Sequence, residues 1–218
     1  HVGDHVDALM RNRLSDQNDD AYQDNHHLEI LAQTDIATIL DRYGIPLAAI
    51  NHKDNGFTML EAELPDISAD RLEYILHGAY VEGWISQQDI LACLDHIHYR
   101  DARWYFDDAL HARFFAELSM RLCSEIFASY WTNATYHLTA RALLKAIVCG
   151  LVSRHELQYG KDEEVLETLL TSGDPEISAL MKLVFALPYS YEPASSEDFD
   201  YSYKAKFRVV DPWVYREG

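Results

Sequence analysis

Apolar residues recur at helical spacing along most of the chain. Val2, Val6, Leu9, Met10 and Leu14 form a first stripe. The stretch Ser15 to Asn25, carrying Asp16, Asp19, Asp20 and Asp24, has almost nothing to bury and reads as an exposed loop. Asn25 is placed to cap a second helix, whose face runs through Leu28, Leu31, Ile36, Ile39 and Leu40 until Gly44 stops it. Ile45-Pro46 restarts a short helix, and Asn51 to Gly56 is turn-like. Pro65 and Ser68 then set up a helix over Ala69 to His77, punctuated by Gly78 and Gly83.

Ser86 caps a helix of about a dozen residues holding Ile90, Leu91 and Leu94. His98 to Phe106 alternates aromatic and charged side chains, the pattern of a short β-ribbon. From Asp107 to Val152 the chain is rich in Ala, Leu and aromatics, too long for one ordinary helix, with the break expected within Ser129 to Thr135. Helices over Asp162 to Thr171 and Pro175 to Leu187 complete the body. Beyond Pro188, Tyr189, Tyr191, Tyr201, Tyr203 and Phe207 lie among Pro, Ser, Asp and Glu. The expected architecture is all-α, one helical domain over residues 1–187 with a short β-ribbon, followed by residues 188–218 as an extended tail or surface strand.

Charge narrows the range of partners. Among 218 residues, 36 are Asp or Glu and 18 are Lys or Arg, a formal net charge of −18. Nucleic-acid polymers bind through clustered cations that release counterions, so such a surface disfavours them as partners. No apolar run reaches the ~18 to 20 residues of a membrane span, and Lys145 breaks the longest, Ala142 to Val152. A soluble protein that does not engage membrane is expected. Cys93, Cys123 and Cys149 are odd in number and lack CxxC spacing, which reads as reduced thiols buried in helices of a cytoplasmic protein. The chain opens on His1 without a signal peptide, so residue 1 is expected not to be the natural start.

Eleven histidines, several beside carboxylates, raise the question of a metal or acid/base site. The signatures His-Glu-x-x-His, Walker A and GxSxG are all absent. His96 and His98 flank Ile97 near Asp95 without ligand spacing to a partner, and are expected to be structural.

Several segments carry a resemblance. Glu63-Leu-Pro-Asp-Ile-Ser-Ala-Asp70-Arg71-Leu-Glu-Tyr74 resembles the segment that supplies the last metal-ligating Asp of HD-domain phosphohydrolases. His1-Val-Gly-Asp4 is similar to the residues just after that family's Pro-Phe-Ser stretch, and Asn25-His26-His27 to the His-Glu pair opening its next helix. Tyr130-Trp131 through Tyr136-His137 and Arg141-Ala142 resembles its long helix, and Lys206-Phe-Arg-Val-Val-Asp-Pro-Trp-Val a short strand motif. The nearest branch in pattern is the deoxynucleoside triphosphate triphosphohydrolases, the group that includes the SAM-and-HD-domain enzyme.

The resemblance implies an HD-type helical fold and a divalent metal ion, Mn, Fe, Ni, Zn or Mg, with Asp70 as a ligand. It implies His1, Asp4 and His26 as a catalytic group at the scissile phosphate, the register between His26 and His27 being open. Arg71 and Tyr74 would lie near the phosphates and sugar, and His137 would line the nucleotide pocket. Chemically, a cation held by imidazole and carboxylate activates water and neutralises phosphate charge, while a histidine protonates the leaving oxygen.

Three departures stand beside these matches. The family's other ligands, a His and a His-Asp pair, would precede His1; Gly78 stands at its sugar-contacting Asp; and Leu138 replaces a basic residue. The expected activity is metal-dependent hydrolysis of a nucleotide phosphoester. The alternatives are a nucleotidase or phosphomonoesterase on the same frame, and a non-catalytic helical module. Locally, Asp70 could equally serve the dipole of the helix after Ser68, Tyr74 and His137 could pack in a core, and the Tyr-rich tail could cover apolar surface or join a homo-oligomer contact.

Overall fold

The computed structural model describes residues 22–51, 56–186, 192–195, 197–203 and 207–215. The stripe from Val2 to Leu14 and most of the polar stretch after it lie outside these residues. Two compact units emerge, one formed by residues 1–51 and 130–203, the other by residues 52–129 and 204–218.

In the first unit, helix α1 spans Tyr22–Ala32 and α2 spans Asp35–Arg42. The expected single helix is therefore two, and it begins before Asn25. Thr34 makes the division: its hydroxyl donates to the Leu31 carbonyl at 2.8 Å and accepts from Ile36 N at 3.3 Å, closing one helix and capping the next. Gly44, at φ +68°, provides the left-handed residue that ends α2. A 3₁₀ turn over Leu47–Ile50 follows Pro46.

The core of this unit forms where α6 (Tyr130–Val148) meets α8 (Asp162–Thr171) and α9 (Pro175–Phe185). Leu138, Ala142, Leu143 and Ala146 of α6 bury against Val165, Leu169, Ile177, Leu180 and Met181. Asp174 caps α9 by accepting from the amides of Glu176 and Ile177, and Pro175 occupies the first turn, where its missing N–H costs nothing. A short helix that apolar spacing did not announce, α7 (Arg154–Tyr159), is held by a reciprocal capping box between Ser153 and Glu156. Within α6, Thr139 is only 2% exposed and its hydroxyl has no hydrogen-bond partner among the described residues.

In the second unit, α3 (Ala69–Val81), α4 (Gln87–Asp95) and α5 (Ala109–Leu122) surround a small sheet. Strands β1 (Ile97–Arg100) and β2 (Arg103–Phe106) form the expected ribbon as an antiparallel hairpin, turning through Asp101 and Ala102, both at positive φ as a type I′ turn requires. The tail contributes β3 (Trp213–Val214), which adds parallel to β2. Ile97 and Phe106, partners in register, point into a core with Leu72, Ile75, Leu76, Phe115 and Leu122. The long helical region breaks at Ala128 and Ser129, just after a π-helical turn over Cys123–Phe127. Ser129 closes that turn by donating its hydroxyl to the Ile126 carbonyl at 2.8 Å. Cys93 and Cys123 are buried as expected, whereas Cys149, just past the end of α6, is exposed.

Gly78 does not end a helix; α3 runs through it to Val81, and Gly83 at φ +70° makes the turn. Its role is close approach, since a Cβ there would sit 3.2 Å from the Leu122 side chain of α5. Gly78→Leu is therefore expected to overpack the α3–α5 contact and cost about 1–3 kcal/mol in urea unfolding. In the other unit, Thr139→Val keeps the shape and removes an unpartnered buried hydroxyl, so it should raise stability by about 1 kcal/mol in the same measurement.

Candidate functional site

Asp70, Arg71 and Tyr74 share the start of α3. Ser68 caps that helix, fully buried, by accepting from Arg71 N at 3.3 Å. Arg71 turns its guanidinium back over the preceding loop, donating to the carbonyls of Ala62 at 2.5 Å and Asp66 at 3.1 Å and pairing with Glu61 at 3.2 Å. This arginine ties the 61–68 segment to the helix. Asp70 is exposed and makes no ion pair among the described residues; desolvation by its neighbours and then the negative charge of Glu61 raise its carboxyl above the ordinary value, with the Arg71 guanidinium opposing. Tyr74 is half-buried, edge-on to Phe127 at 5.8 Å, and burial pushes its phenol up.

The remaining expected residues belong to the first unit or lie outside the description. His1 and Asp4 are outside the described residues. His26, in α1, pairs through Nδ1 with Glu29 Oε2 at 2.8 Å, and Glu29 Oε1 accepts from the Tyr159 hydroxyl at 2.6 Å. The Tyr159 and His26 contacts hold the Glu29 carboxyl below its ordinary value, so the imidazole faces a persistent anion. Glu29 escaped the sequence reading, although it stands at helical spacing from His26. His137 stacks on Tyr201 of the tail segment at 3.8 Å and 20°. That contact lays a tail aromatic on the helical body of this unit.

The densest group of imidazoles and carboxylates was not among the expected site residues. His96, the C-cap of α4, leads into β1, and Asp107 and Asp108 follow β2. The hairpin register pairs Ile97 with Phe106, so residues 96 and 107 come level as the next pair, and Asp107 N donates to the His96 carbonyl at 3.1 Å. Alternation along the ribbon sends Ile97 and Phe106 to the core and leaves His96, His98 and Asp107 on the opposite face. Asp107 there accepts from both imidazoles, His96 Nδ1 at 2.8 Å and His98 Nε2 at 3.0 Å.

Asp108 joins this face to α5. Its Oδ1 caps the helix by accepting from Leu110 N at 2.7 Å and His111 N at 3.1 Å. Its Oδ2 meets two imidazole nitrogens, His111 Nδ1 at 2.7 Å and His96 Nδ1 at 3.1 Å, and the two rings stack at 4.0 Å. Ligand atoms from His96, Asp108 and His111 lie within 4.8 Å of one another. The hydrogen bond to Asp107, with the charges of Asp107, Asp108 and Asp95, holds His96 above its ordinary value, while His98 and then His96 hold Asp107 below its own. Burial opposes ionisation of Asp108, but its bonds to His111 and the Leu110 amide prevail and keep it low. Spacing alone could not reveal this group, because only the two-residue hairpin turn brings residue 96 to residue 107.

These couplings make stability depend on pH with a definite sign. A raised His96 value stabilises the fold fully below 6.5 and is lost as pH climbs above it, whereas the lowered Asp107 value stabilises above 3.8 and is lost below. The melting temperature should therefore decline as pH rises through the range just above 6.5, and His96→Gln should flatten that decline, as read by thermal unfolding at a series of pH values.

No protein-family model matches this chain, and no solved structure matches it. Over 210 residues it is 26% identical to the uncharacterized protein YdhJ of Bacillus subtilis (strain 168), an alignment covering 96% of this chain and 62% of that protein. The chain thus spans less than two thirds of the length of this relative. Among the described residues, no helix is long and apolar enough to cross a membrane.

Proposed function

We propose that this chain forms part of a metal-dependent phosphohydrolase of the HD-domain type, acting on a nucleotide, with Asp70 as one ligand of a divalent cation. The observation that carries this reading is the electrostatic state of Asp70. A carboxylate in a first helical turn that served only the helix dipole would have its anion favoured. Asp70 stands exposed at the start of α3 with no ion pair among the described residues; desolvation and the charges of Glu61 and Glu73 disfavour its anion, and the adjacent guanidinium is directed to the 61–68 loop. A cation brought to that carboxylate would reverse the imbalance.

His26, with Nδ1 on Glu29, has the carboxylate support that suits an imidazole to proton transfer at a phosphoester oxygen. A bound divalent ion would supply Lewis-acid polarisation of the phosphate. The described residues contribute Asp70 alone to such a ligand set, too few to hold an ion by themselves, and the resemblance assigns the others to positions ahead of His1.

Two observations favour the smaller-substrate reading as the second. Gly78, at the position of the family's sugar-contacting Asp, is filled by helix packing against Leu122. Leu138, at the position of a basic residue, is buried in the core of its unit. Neither position offers a donor to a sugar or a triphosphate.

Assay of the full-length protein with deoxynucleoside triphosphates and Mn²⁺ separates these readings: tripolyphosphate release supports the first, and orthophosphate release from monophosphates the second. Absence of both activities and of bound metal would leave a non-catalytic module. Asp70→Asn should abolish hydrolysis. Because a carboxyl with a raised value binds its proton more tightly when folded, stability falls as pH rises through the acid range and the deficit persists at neutral pH. The same substitution should therefore raise the melting temperature of the metal-free protein at neutral pH. Full activity in the variant, or a lowered melting temperature, would count against the assignment.

A further inference from the structure

The geometry points to a second cation site, separate from Asp70, in which His96, Asp108 and His111 bind one borderline first-row divalent ion of the Zn²⁺ class. Two imidazole nitrogens from different elements converge on a single carboxylate oxygen, His111 Nδ1 at 2.7 Å and His96 Nδ1 at 3.1 Å from Asp108 Oδ2. Protons shared within this triangle now hold the three atoms together. An ion bonds imidazole nitrogen and carboxylate oxygen at about 2.0–2.2 Å, so the triangle must open slightly to admit one. For Nδ1 to become a ligand, each neutral ring need only carry its proton on Nε2; from a protonated ring, binding releases one proton.

The surroundings support this exchange. Asp108 is anchored through Oδ1 by two backbone amides, so Oδ2 is presented to the imidazoles by the helix itself rather than by a flexible side chain. Asp107 accepts from the same His96 Nδ1 and from His98 Nε2, so its bond to His96 must break when that nitrogen takes the ion, which leaves a further carboxylate beside the site. Asp95, Asp107 and Asp108 give the group a local negative charge that favours a cation over a second imidazolium. The rings are stacked within 12°, so their in-plane lone pairs run side by side, and one ring must turn to complete coordination. Side-chain exposures of 40% for His96 and 20% for His111 leave room for that rotation. Two nitrogens and one oxygen select Zn²⁺, Co²⁺, Ni²⁺ or Cu²⁺ over Mg²⁺ or Ca²⁺. Three protein ligands leave a further position for solvent or a small ligand.

Co²⁺ titration of the tag-free protein at neutral pH, followed by its visible absorption and by calorimetry, tests this directly. The expected result is the intense visible band of low-coordinate Co²⁺ with one ion bound at this group, displaced by Zn²⁺ and not by excess Mg²⁺. His96→Gln and His111→Gln should each weaken binding by at least ~10-fold. Asp70→Asn should leave the band unchanged, which separates this site from the one proposed for hydrolysis. Circular dichroism establishes that each variant folds. Paramagnetic broadening of the His96, His98 and His111 ring resonances by Co²⁺ gives a readout in the unaltered protein. Absence of Co²⁺ binding, a band that survives both histidine substitutions, a band lost in Asp70→Asn, or broadening confined to other histidines would each overturn the assignment.

Discussion

Phe106 is the residue on which the second unit turns. Fully buried at the end of β2, it pairs in register with Ile97 of β1 and Val214 of β3, contacts the Phe115 ring at 5.8 Å, and accepts from Tyr215 N at 2.8 Å. One side chain thus holds the hairpin, the returning tail and α5 to a common core. Burial of a phenylalanine contributes on the order of 2–3 kcal/mol, enough to set register in a ribbon only four residues long. A slip of one residue would turn Phe106 and Ile97 outward and bring the His96 and Asp107 side chains into apolar surroundings, where charged groups are costly. The polar face of the ribbon is therefore specified by its apolar face.

Asp108 converts this register into a composite polar group. Its position immediately after β2 and before α5 requires an N-cap, and Asp meets that need through one oxygen. The other oxygen faces outward over the first turn, where His111 lies three residues on and His96 arrives across the ribbon. Capping and imidazole binding do not compete, because they use different lone pairs of the same carboxylate. Cys93, on α4, feels the same anion: burial, and then the charge of Asp108, push its thiol up to about 11, so it remains an inert member of the core.

Much of this framework was legible as local chemistry. Ser68 and Ser86 each announced a helix start, Gly44 a stop, and the alternation from His98 to Phe106 a ribbon, because these features depend on neighbours a few residues away. The errors also have physical causes. Thr34 divides a continuous apolar stripe because its hydroxyl outcompetes the backbone on both sides. Gly78 passed for a helix stop because a close-approach glycine and a C-terminal glycine are identical in sequence, and only the Leu122 contact distinguishes them. Of the proposed site, Asp70 and Arg71 belong to a contiguous pattern that carries the resemblance. The direction of the Arg71 guanidinium was not, since it depends on carbonyls exposed by a loop. His96, Asp108 and His111 were invisible for a related reason: their proximity is a property of strand pairing across residues 97 to 106, and no linear spacing encodes it.

The strongly acidic composition gives this distinction a chemical consequence. Acidic residues outnumber Lys and Arg by 36 to 18 in this chain, and Asp70 and Asp108 meet that shortage in different ways. Asp70 has Glu61 and Glu73 nearby, all oxygen donors, and the guanidinium of Arg71 beside it is turned toward a loop. Its anion is disfavoured, as suits a hard cation brought with ligands from elsewhere. Asp108 instead engages two imidazoles and two amides, so its charge is compensated without an ion and the group stands folded in either state. An ion there would replace protons shared between imidazole and carboxylate, whereas an ion at Asp70 would offset an anion that its surroundings disfavour. The two proposed centres would thus differ in what a metal does on binding: at Asp108 it would displace shared protons, and at Asp70 it would offset clustered negative charge.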